Sequence, residues 1–245
     1  MNAVSHEPFL VALSYAISVF GSYTALQLAA AIPERRSWGS IIGSVVGAAV
    51  ALGGGAIWSM HFIGLNAAEL GLPVSYDPVL TLASLLVAII APAVGLFIVG
   101  RSDGGPINLP LGALLTGLGI ALMHYAGMAA LILPAKVSYD LSLFGASIVV
   151  AVVAAALALW LAFSLRSNLL RFISAFVIGL AVSAVHYTGM YALKLEPTSA
   201  AVADTGISLS PTSMAYSVFG IAAVLLALQL SYSIWKSQRT LTSDL

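Results

Sequence analysis

Seven long apolar stretches dominate this sequence, and they decide what the chain can fold into. A helix needs about 20 residues to cross a hydrocarbon core of about 30 Å, and every stretch is long enough to do so. Only 7% of the 245 residues are charged and the net charge is zero, which excludes a soluble enzyme and a nucleic-acid binder. The predicted fold class is therefore an all-α integral membrane protein with seven transmembrane helices. The predicted spans are 9–32, 39–65, 78–100, 110–133, 142–165, 170–193 and 213–235.

The distribution of lysine and arginine predicts the orientation, because basic residues collect on the cytoplasmic side of a membrane protein. Seven of the nine basic residues lie in the loops after spans 1, 3 and 5 or in the C-terminal tail, and only Lys136 and Lys194 lie on the other side. The seven are Arg35, Arg36, Arg101, Arg166, Arg171, Lys236 and Arg239. The N-terminus is predicted outside and the C-terminus inside. Residues 1–235 form the predicted seven-helix domain, and 236–245 form a short cytoplasmic tail.

A short motif recurs three times, with a period of about 63 residues. It reads Met-His-Phe-Ile-Gly-Leu at 60–65, Met-His-Tyr-Ala-Gly-Met at 123–128 and Val-His-Tyr-Thr-Gly-Met at 185–190. Val-Ser-Tyr-Asp also occurs twice, at 74–77 and 137–140. The repeat predicts one helix followed by three helical hairpins, spans 2–3, 4–5 and 6–7. The histidines then lie at similar depth in spans 2, 4 and 6, and a threefold-like arrangement of these spans would bring them together.

The motifs hold most of the soft metal-ligand atoms in the chain. Three of the four histidines and four of the five methionines after Met1 lie in them, and the chain has no cysteine. Imidazole and thioether ligands without thiolate suit copper better than zinc. The candidate ligands are His61, His124, His186, Met60, Met123, Met128 and Met190. The aromatic residue after each histidine is predicted to pack around the site, and these are Phe62, Tyr125 and Tyr187.

Two other sets of polar residues receive structural interpretations. Asp77, which precedes Pro78, and Asp140 are interpreted as N-caps that open spans 3 and 5. Ser14, Ser18 and Ser22 form a stripe on span 1 that is predicted to face the bundle and to bond to neighbouring helices.

On these motifs the sequence resembles the MHYT family of bacterial integral membrane sensor domains, over nearly the whole chain. The resemblance extends the motif to its glycines, which are Gly64, Gly127 and Gly189. Two positions depart from the family pattern, since Leu65 replaces the trailing methionine of the first copy and Val185 the leading methionine of the third. The resemblance implies a multi-pass protein of the bacterial cytoplasmic membrane that binds copper and senses oxygen, carbon monoxide or nitric oxide.

The resulting hypothesis is a non-enzymatic membrane sensor that responds to a diatomic gas or to redox state. The resemblance also implies an output that involves a cyclic-di-GMP enzyme or a histidine kinase. The ten residues after Trp235 are too few for such a domain, so the output is expected on a partner or on a longer form of the chain. Alternatives are a haem protein that uses histidine or methionine as axial ligands, and a transporter of copper or a small solute. A metal-dependent hydrolase is disfavoured, because the nearest acids lie at the outer edge of the spans.

Overall fold

The computed structural model describes residues 5–34, 37–101, 106–198 and 208–243. Seven helices occur in these residues: α1 Pro8–Ala29, α2 Trp38–Ala67, α3 Pro78–Gly100, α4 Asn108–Ala129, α5 Leu141–Ser164, α6 Asn168–Ala192 and α7 Pro211–Ser243. The first six are long and apolar enough to cross a membrane, whereas the apolar part of α7 among the described residues, Pro211–Val224, is too short to count as such a span. Helix α7 continues into the predicted tail, because no Gly or Pro interrupts it there. Arg35 and Arg36, used to predict orientation, lie outside the described residues, as do the side chains of Lys236 and Arg239.

The predicted N-caps are confirmed. The Asp77 carboxylate accepts a hydrogen bond from the backbone N–H of Leu80, and the Asp140 carboxylate accepts two in the first turn of α5. Glu7 does the same for α1, immediately before Pro8. Each cap satisfies N–H groups that have no partner within the helix, so three acids open the odd-numbered helices α1, α3 and α5.

Short antiparallel strand pairs, which were not predicted, close one end of the bundle. They are β1 Ser5–His6 with β2 Ala68–Glu69, β3 Ser75–Tyr76 with β4 Leu131–Ile132, and β5 Ala135–Tyr139 with β6 Leu193–Pro197. At the third pair, Lys194 donates to Asp140 over 2.9 Å, and this contact, with the cap bonds, lowers the pKa of Asp140. Each pair joins the segment before an odd-numbered helix to the segment after the next even-numbered helix. We call the end of the bundle that carries these three strand pairs the strand end.

The first six helices form a closed ring, in which α2, α4 and α6 meet at the centre. Each helix packs on its neighbours in sequence, and α1 closes the ring by packing on both α2 and α6. Helix α7 lies outside the ring against α1 and α2. The strand pairs group helices 1–2, 3–4 and 5–6, whereas the sequence predicted an extra first helix and hairpins 2–3, 4–5 and 6–7. Helices α2 and α3 and helices α4 and α5 do pack together, but α7 packs mainly on α1 and α2. The overlooked signal is Val-Ser-His-Glu at 4–7, which matches the two Val-Ser-Tyr-Asp segments.

Helix α2 contains a nine-residue π-helical segment, Val50–Trp58, just before the first motif. Glycines let three neighbours approach it closely. A Cβ on Gly53 would overlap the backbone of Ala88 on α3, and a Cβ on Gly55 would lie 2.6 Å from the Leu226 side chain on α7. Likewise, Gly21 of α1 lies against the backbone of Ala56. The sequence did not predict this segment, since apolar periodicity does not distinguish π from α geometry.

The serine stripe of α1 is buried, as predicted, but the predicted bonding to neighbouring helices is not found for Ser18 and Ser22. Ser14 donates to the carbonyl of Val11 in its own helix. The hydroxyls of Ser18 and Ser22 have no hydrogen-bond partner among the described residues.

Candidate functional site

Three histidines from three different helices meet at the centre of the ring. His61 Nδ1 lies 3.1 Å from His124 Nδ1 and 3.2 Å from His186 Nδ1. All three residues are at most 3% exposed. They lie five or six residues before the ends of α2, α4 and α6, which at about 1.5 Å per residue places them about 8–9 Å from the strand end. The equal spacing of the motif along the chain thus becomes a convergence of side chains in space.

Each histidine ring rests on the motif glycine of another repeat. A Cβ on Gly64 would lie 2.8 Å from His186 Nε2, and a Cβ on Gly127 or Gly189 would overlap the imidazole of His61 or His124, respectively. The contacts run in one cyclic direction around the three inner helices. The glycine three residues after each histidine is therefore needed, because any side chain there would displace the histidine of a neighbouring repeat.

The polar atoms of this cluster fit a metal ion. A metal bound to imidazoles at about 2.0–2.1 Å separates neighbouring ligand nitrogens by about 3.3–3.6 Å, close to the separations between the Nδ1 atoms. The three Nε2 atoms are buried and have no partner among the described residues, so a neutral imidazole in either tautomer leaves one ring nitrogen poorly satisfied. With the single proton on Nε2, each Nδ1 offers a lone pair. The ligand atoms of the three residues lie within 4.8 Å of one another, so one cation would satisfy them together.

A small apolar cavity adjoins the histidines on the side away from the strand end. Its volume is about 30 Å³, which is room for a molecule of one or two heavy atoms. Alanines of α5, including Ala155 and Ala158, form one wall. Among the described lining residues, the one polar side chain besides the histidines is Thr116, whose hydroxyl donates to the Ala91 carbonyl. The cavity therefore offers a small ligand contact with the histidines and few other polar groups.

The candidate methionines divide into two sets. Met60 and Met123, which precede their histidines, line the cavity beside the histidines. Met128 and Met190 are buried but do not line it. Ligation by any of the four methionines stays a prediction.

The aromatic residues after the histidines cover the cluster toward the strand end. Phe62, Tyr125 and Tyr187 each contact the preceding histidine edge-on, with ring centroids 4.9–5.0 Å apart. Each of these aromatic rings is contacted by a second ring on its strand-end side, with ring centroids 5.2–5.9 Å apart. The second rings belong to the residues that immediately precede the three capping acids, and they are Tyr76, Tyr139 and His6, respectively. The fourth histidine, which sequence reasoning set aside, is therefore part of the site's surroundings. Its position in Val-Ser-His-Glu is the signal that would have found it.

The fold and the histidine cluster define a class of protein, a helical bundle with six helices able to cross a membrane around a buried three-histidine site. Sequence comparison agrees with a signalling role. The sequence model of the MHYT family, described as "Bacterial signalling protein N terminal repeat", matches residues 54–109, 117–175 and 179–242. The chain belongs to the MHYT family. These boundaries follow the predicted sequence hairpins, although the strand pairs group the helices as 1–2, 3–4 and 5–6.

Several curated signalling proteins are similar to this chain. A Pseudomonas aeruginosa protein, the bifunctional diguanylate cyclase/cyclic di-GMP phosphodiesterase MucR, is 38% identical over 96% of this chain and 34% of its own length. The cyclic di-GMP phosphodiesterase NbdA of the same organism is 34% identical over 78% of this chain and 25% of its own length. The signaling protein YkoW of Bacillus subtilis is 33% identical over 77% of this chain and 24% of its own length. The chain thus spans about a third or less of these relatives. No solved structure matches.

The histidine–glycine contacts predict a specific packing defect. In the Gly127→Ala variant the new methyl group strikes the His61 ring, so we expect the free energy of unfolding to fall by about 1–3 kcal/mol, the usual cost of overpacking. Gly145→Ala on α5 is the control, because a Cβ there meets nothing within 4 Å. Thermal unfolding of the purified protein in detergent measures both. In a His61→Ala background the Gly127→Ala penalty should nearly vanish, and an undiminished penalty would contradict the contact.

Proposed function

We propose that this chain is a membrane sensor domain in which His61, His124 and His186 hold one copper ion, and that a diatomic gas or a change of redox state alters this site. The observation that carries the proposal is the convergence of three buried Nδ1 atoms at 3.1–3.2 Å spacing for His61 with its two neighbours. Among the described residues, the cluster able to hold a metal contains these three histidines and no carboxylate. Neutral nitrogen ligands in an apolar interior favour copper over the hard oxygen-seeking cations.

The cavity beside the histidines supports a small neutral ligand. When bound there, copper would supply a Lewis-acidic centre for oxygen, carbon monoxide or nitric oxide, and the protein would supply an apolar space that excludes charged competitors. Met60 and Met123 line the same space, so their thioethers are the candidate additional ligands. Met128 and Met190, which lie away from the cavity lining, are the less favoured pair.

The alternatives fit the geometry less well. Two axial ligands of a haem lie on opposite faces of a wide macrocycle, whereas these Nδ1 atoms are within hydrogen-bonding distance of one another and the adjoining cavity is only about 30 Å³. A transporter needs a continuous polar path through the bundle. The cavity side of the cluster instead presents apolar residues such as Leu52, Ile120 and Val182, so neither alternative is favoured by a specific contact.

Helix α7 is the proposed route to the output. Its buried residues Met214, Val218, Ala222 and Leu226 recur every four positions and form one face against the ring. Leu226 packs directly on Gly55, inside the π-helical segment that precedes His61. Because a π-helical segment is a site where a helix can shift its register, a change at His61 has a direct mechanical connection to α7.

The orientation, location and output are part of the proposal. The described arginines Arg101, Arg166 and Arg171 lie near the end opposite the strands, while Lys136 and Lys194 lie at the strand end. The positive-inside rule then puts the strand end outside a bacterial cytoplasmic membrane, with α7 as a seventh span.

The domain itself is proposed to be non-enzymatic. Since relatives such as MucR carry names of cyclic-di-GMP enzymes, the proposed output is such an enzyme or a histidine kinase, on this chain's longer form or a partner.

The copper site predicts a metal content that depends on each histidine. After aerobic reconstitution we expect about one copper per chain in the wild type and less than a tenth of that in His124→Ala, measured by elemental analysis. Ser174→Ala, a buried substitution on α6 away from the site, is the control and should retain copper. Retention of a monodisperse elution profile shows that each variant folds. Equal copper in wild type and His124→Ala contradicts the site, and a Soret band in the visible spectrum points to haem instead.

The cavity predicts steric control of gas binding. Ala155→Val adds two methyl groups to the cavity wall, so we expect carbon monoxide affinity of the reduced copper protein to fall about tenfold or more, with copper content unchanged. The infrared C–O stretch reports binding. Ala146→Val, at an exposed position of α5, should match the wild type. Unchanged affinity in Ala155→Val places the gas outside this cavity.

The connection from α2 to α7 predicts a measurable movement. The chain has no cysteine, so Val46→Cys and Ile234→Cys place spin labels at two exposed positions, one on each helix. We expect the label-to-label distance to shift when copper is added under reducing conditions, and the shift to shrink in a Leu226→Ala background. A distance that ignores copper in the parent pair contradicts transmission through α7.

A further inference from the structure

Three places lie between the strand end and the histidines, one over each histidine, and they differ in chemistry. Each place consists of a motif aromatic with a second ring stacked edge-on above it. Two are closed by tyrosine, Tyr76 above Phe62 and Tyr139 above Tyr125. The third has His6 above Tyr187, with ring centroids 5.5 Å apart. A metal-binding side chain thus stands where its two counterparts are tyrosines.

The two tyrosine-covered places are internally satisfied. The Tyr76 hydroxyl donates to the Asn66 side chain over 3.1 Å, and the Asn66 amide donates to the Phe62 carbonyl. Burial raises the pKa of Tyr76 well above its ordinary value, so this hydroxyl stays a donor. At the second place, the Tyr125 and Ser147 hydroxyls are 2.7 Å apart. Opening either place would break hydrogen bonds in an apolar setting, which is costly.

The third place is less tightly bonded. His6 Nε2 is buried and has no hydrogen-bond partner among the described residues. The Tyr187 hydroxyl lies near the Ser14 hydroxyl of α1 but makes no hydrogen bond of ordinary geometry with it. Tyr187 in turn lies edge-on to His186, with centroids 4.9 Å apart. The order from the strand end inward is therefore His6, Tyr187, His186. On the other side of the histidines, Met60 and Met123 line the cavity beside the cluster, and the described wall beyond them is apolar except for Thr116. That side therefore offers a cation no imidazole that could act as a stepping ligand before the cluster.

We propose that His6 and Tyr187 form the entry gate for the metal cation, with His6 as a transient ligand that passes the ion to His186. This inference rests on the proposed copper site. His6 Nε2 exchanges one of the ion's solvent ligands for imidazole, the Tyr187 ring swings aside, and His186 Nδ1 then takes the ion. No bond other than metal–ligand bonds is made or broken. His6 is not a permanent ligand, because the Tyr187 ring separates it from the histidine cluster.

A gate changes rates without changing affinity, which makes the inference testable. The His6→Tyr variant installs the residue found at the two equivalent positions, keeps the ring stack and removes the ligand. We expect it to hold the wild-type amount of copper at equilibrium, while loading and release both slow about tenfold. Loading is followed in detergent by mixing the metal-free protein with Cu(I) held by a chromophoric chelator and recording loss of the chelate absorbance. Release is followed by the reverse transfer.

Two further variants separate the gate from other roles. Tyr139→Phe removes a hydroxyl at an equivalent position and should load at the wild-type rate, and His186→Ala should lose copper at equilibrium. Wild-type rates in His6→Tyr overturn the gate, and so does a loss of its equilibrium copper, which would make His6 a ligand. If the wild type itself takes up no copper, the proposed function has failed. If the wild type loads and His6→Tyr loads equally fast, only the gate has failed.

Discussion

The structure depends on one packing constraint, that three imidazoles share a single point at the axis of a helical ring. His61 Nδ1 can approach the Nδ1 atoms of His124 and His186 to 3.1–3.2 Å only if the inner helices lie close together. Gly64, Gly127 and Gly189 permit that approach. Each glycine receives the ring of a neighbouring repeat, so no single repeat forms the site alone. Any movement of one inner helix therefore changes the geometry at all three histidines.

Much of the site was predictable because it lies in the repeat. The motif spacing predicted that His61, His124 and His186 lie at one depth, and helix periodicity predicted the caps at Asp77 and Asp140. Spacing along a helix cannot show which side chains meet across helices, so the division of the methionines into cavity-lining and distant pairs was not predictable. The strand pairs and the π-helical segment were missed because two-residue strands and π turns leave no hydrophobic period to detect.

The departures from threefold symmetry are as informative as the symmetry. Helix α1 completes the ring by pairing with α2 through β1 and β2, which leaves α7 outside, in a position to connect the bundle to the proposed output. The same use of the N-terminal segment puts His6 where the other two units have tyrosine. The three rings nearest the strand end are His6, Tyr76 and Tyr139. The histidine at one of these positions distinguishes the place proposed for metal entry from the two places closed by tyrosine.

The charge of the site limits which copper ion it can hold. No carboxylate lies in the histidine cluster among the described residues, and the adjoining cavity is apolar. The cost of placing an ion in such a medium grows with the square of its charge, and an unpaired charge is expensive to bury. A divalent ion would need an anionic partner that the cluster does not supply, whereas a monovalent soft ion needs only neutral nitrogen and sulfur ligands. If copper binds as proposed, the site therefore favours Cu(I), the copper state that binds carbon monoxide and reacts with oxygen. Oxidation to Cu(II) would then destabilise the histidine cluster and favour a rearrangement of the inner helices.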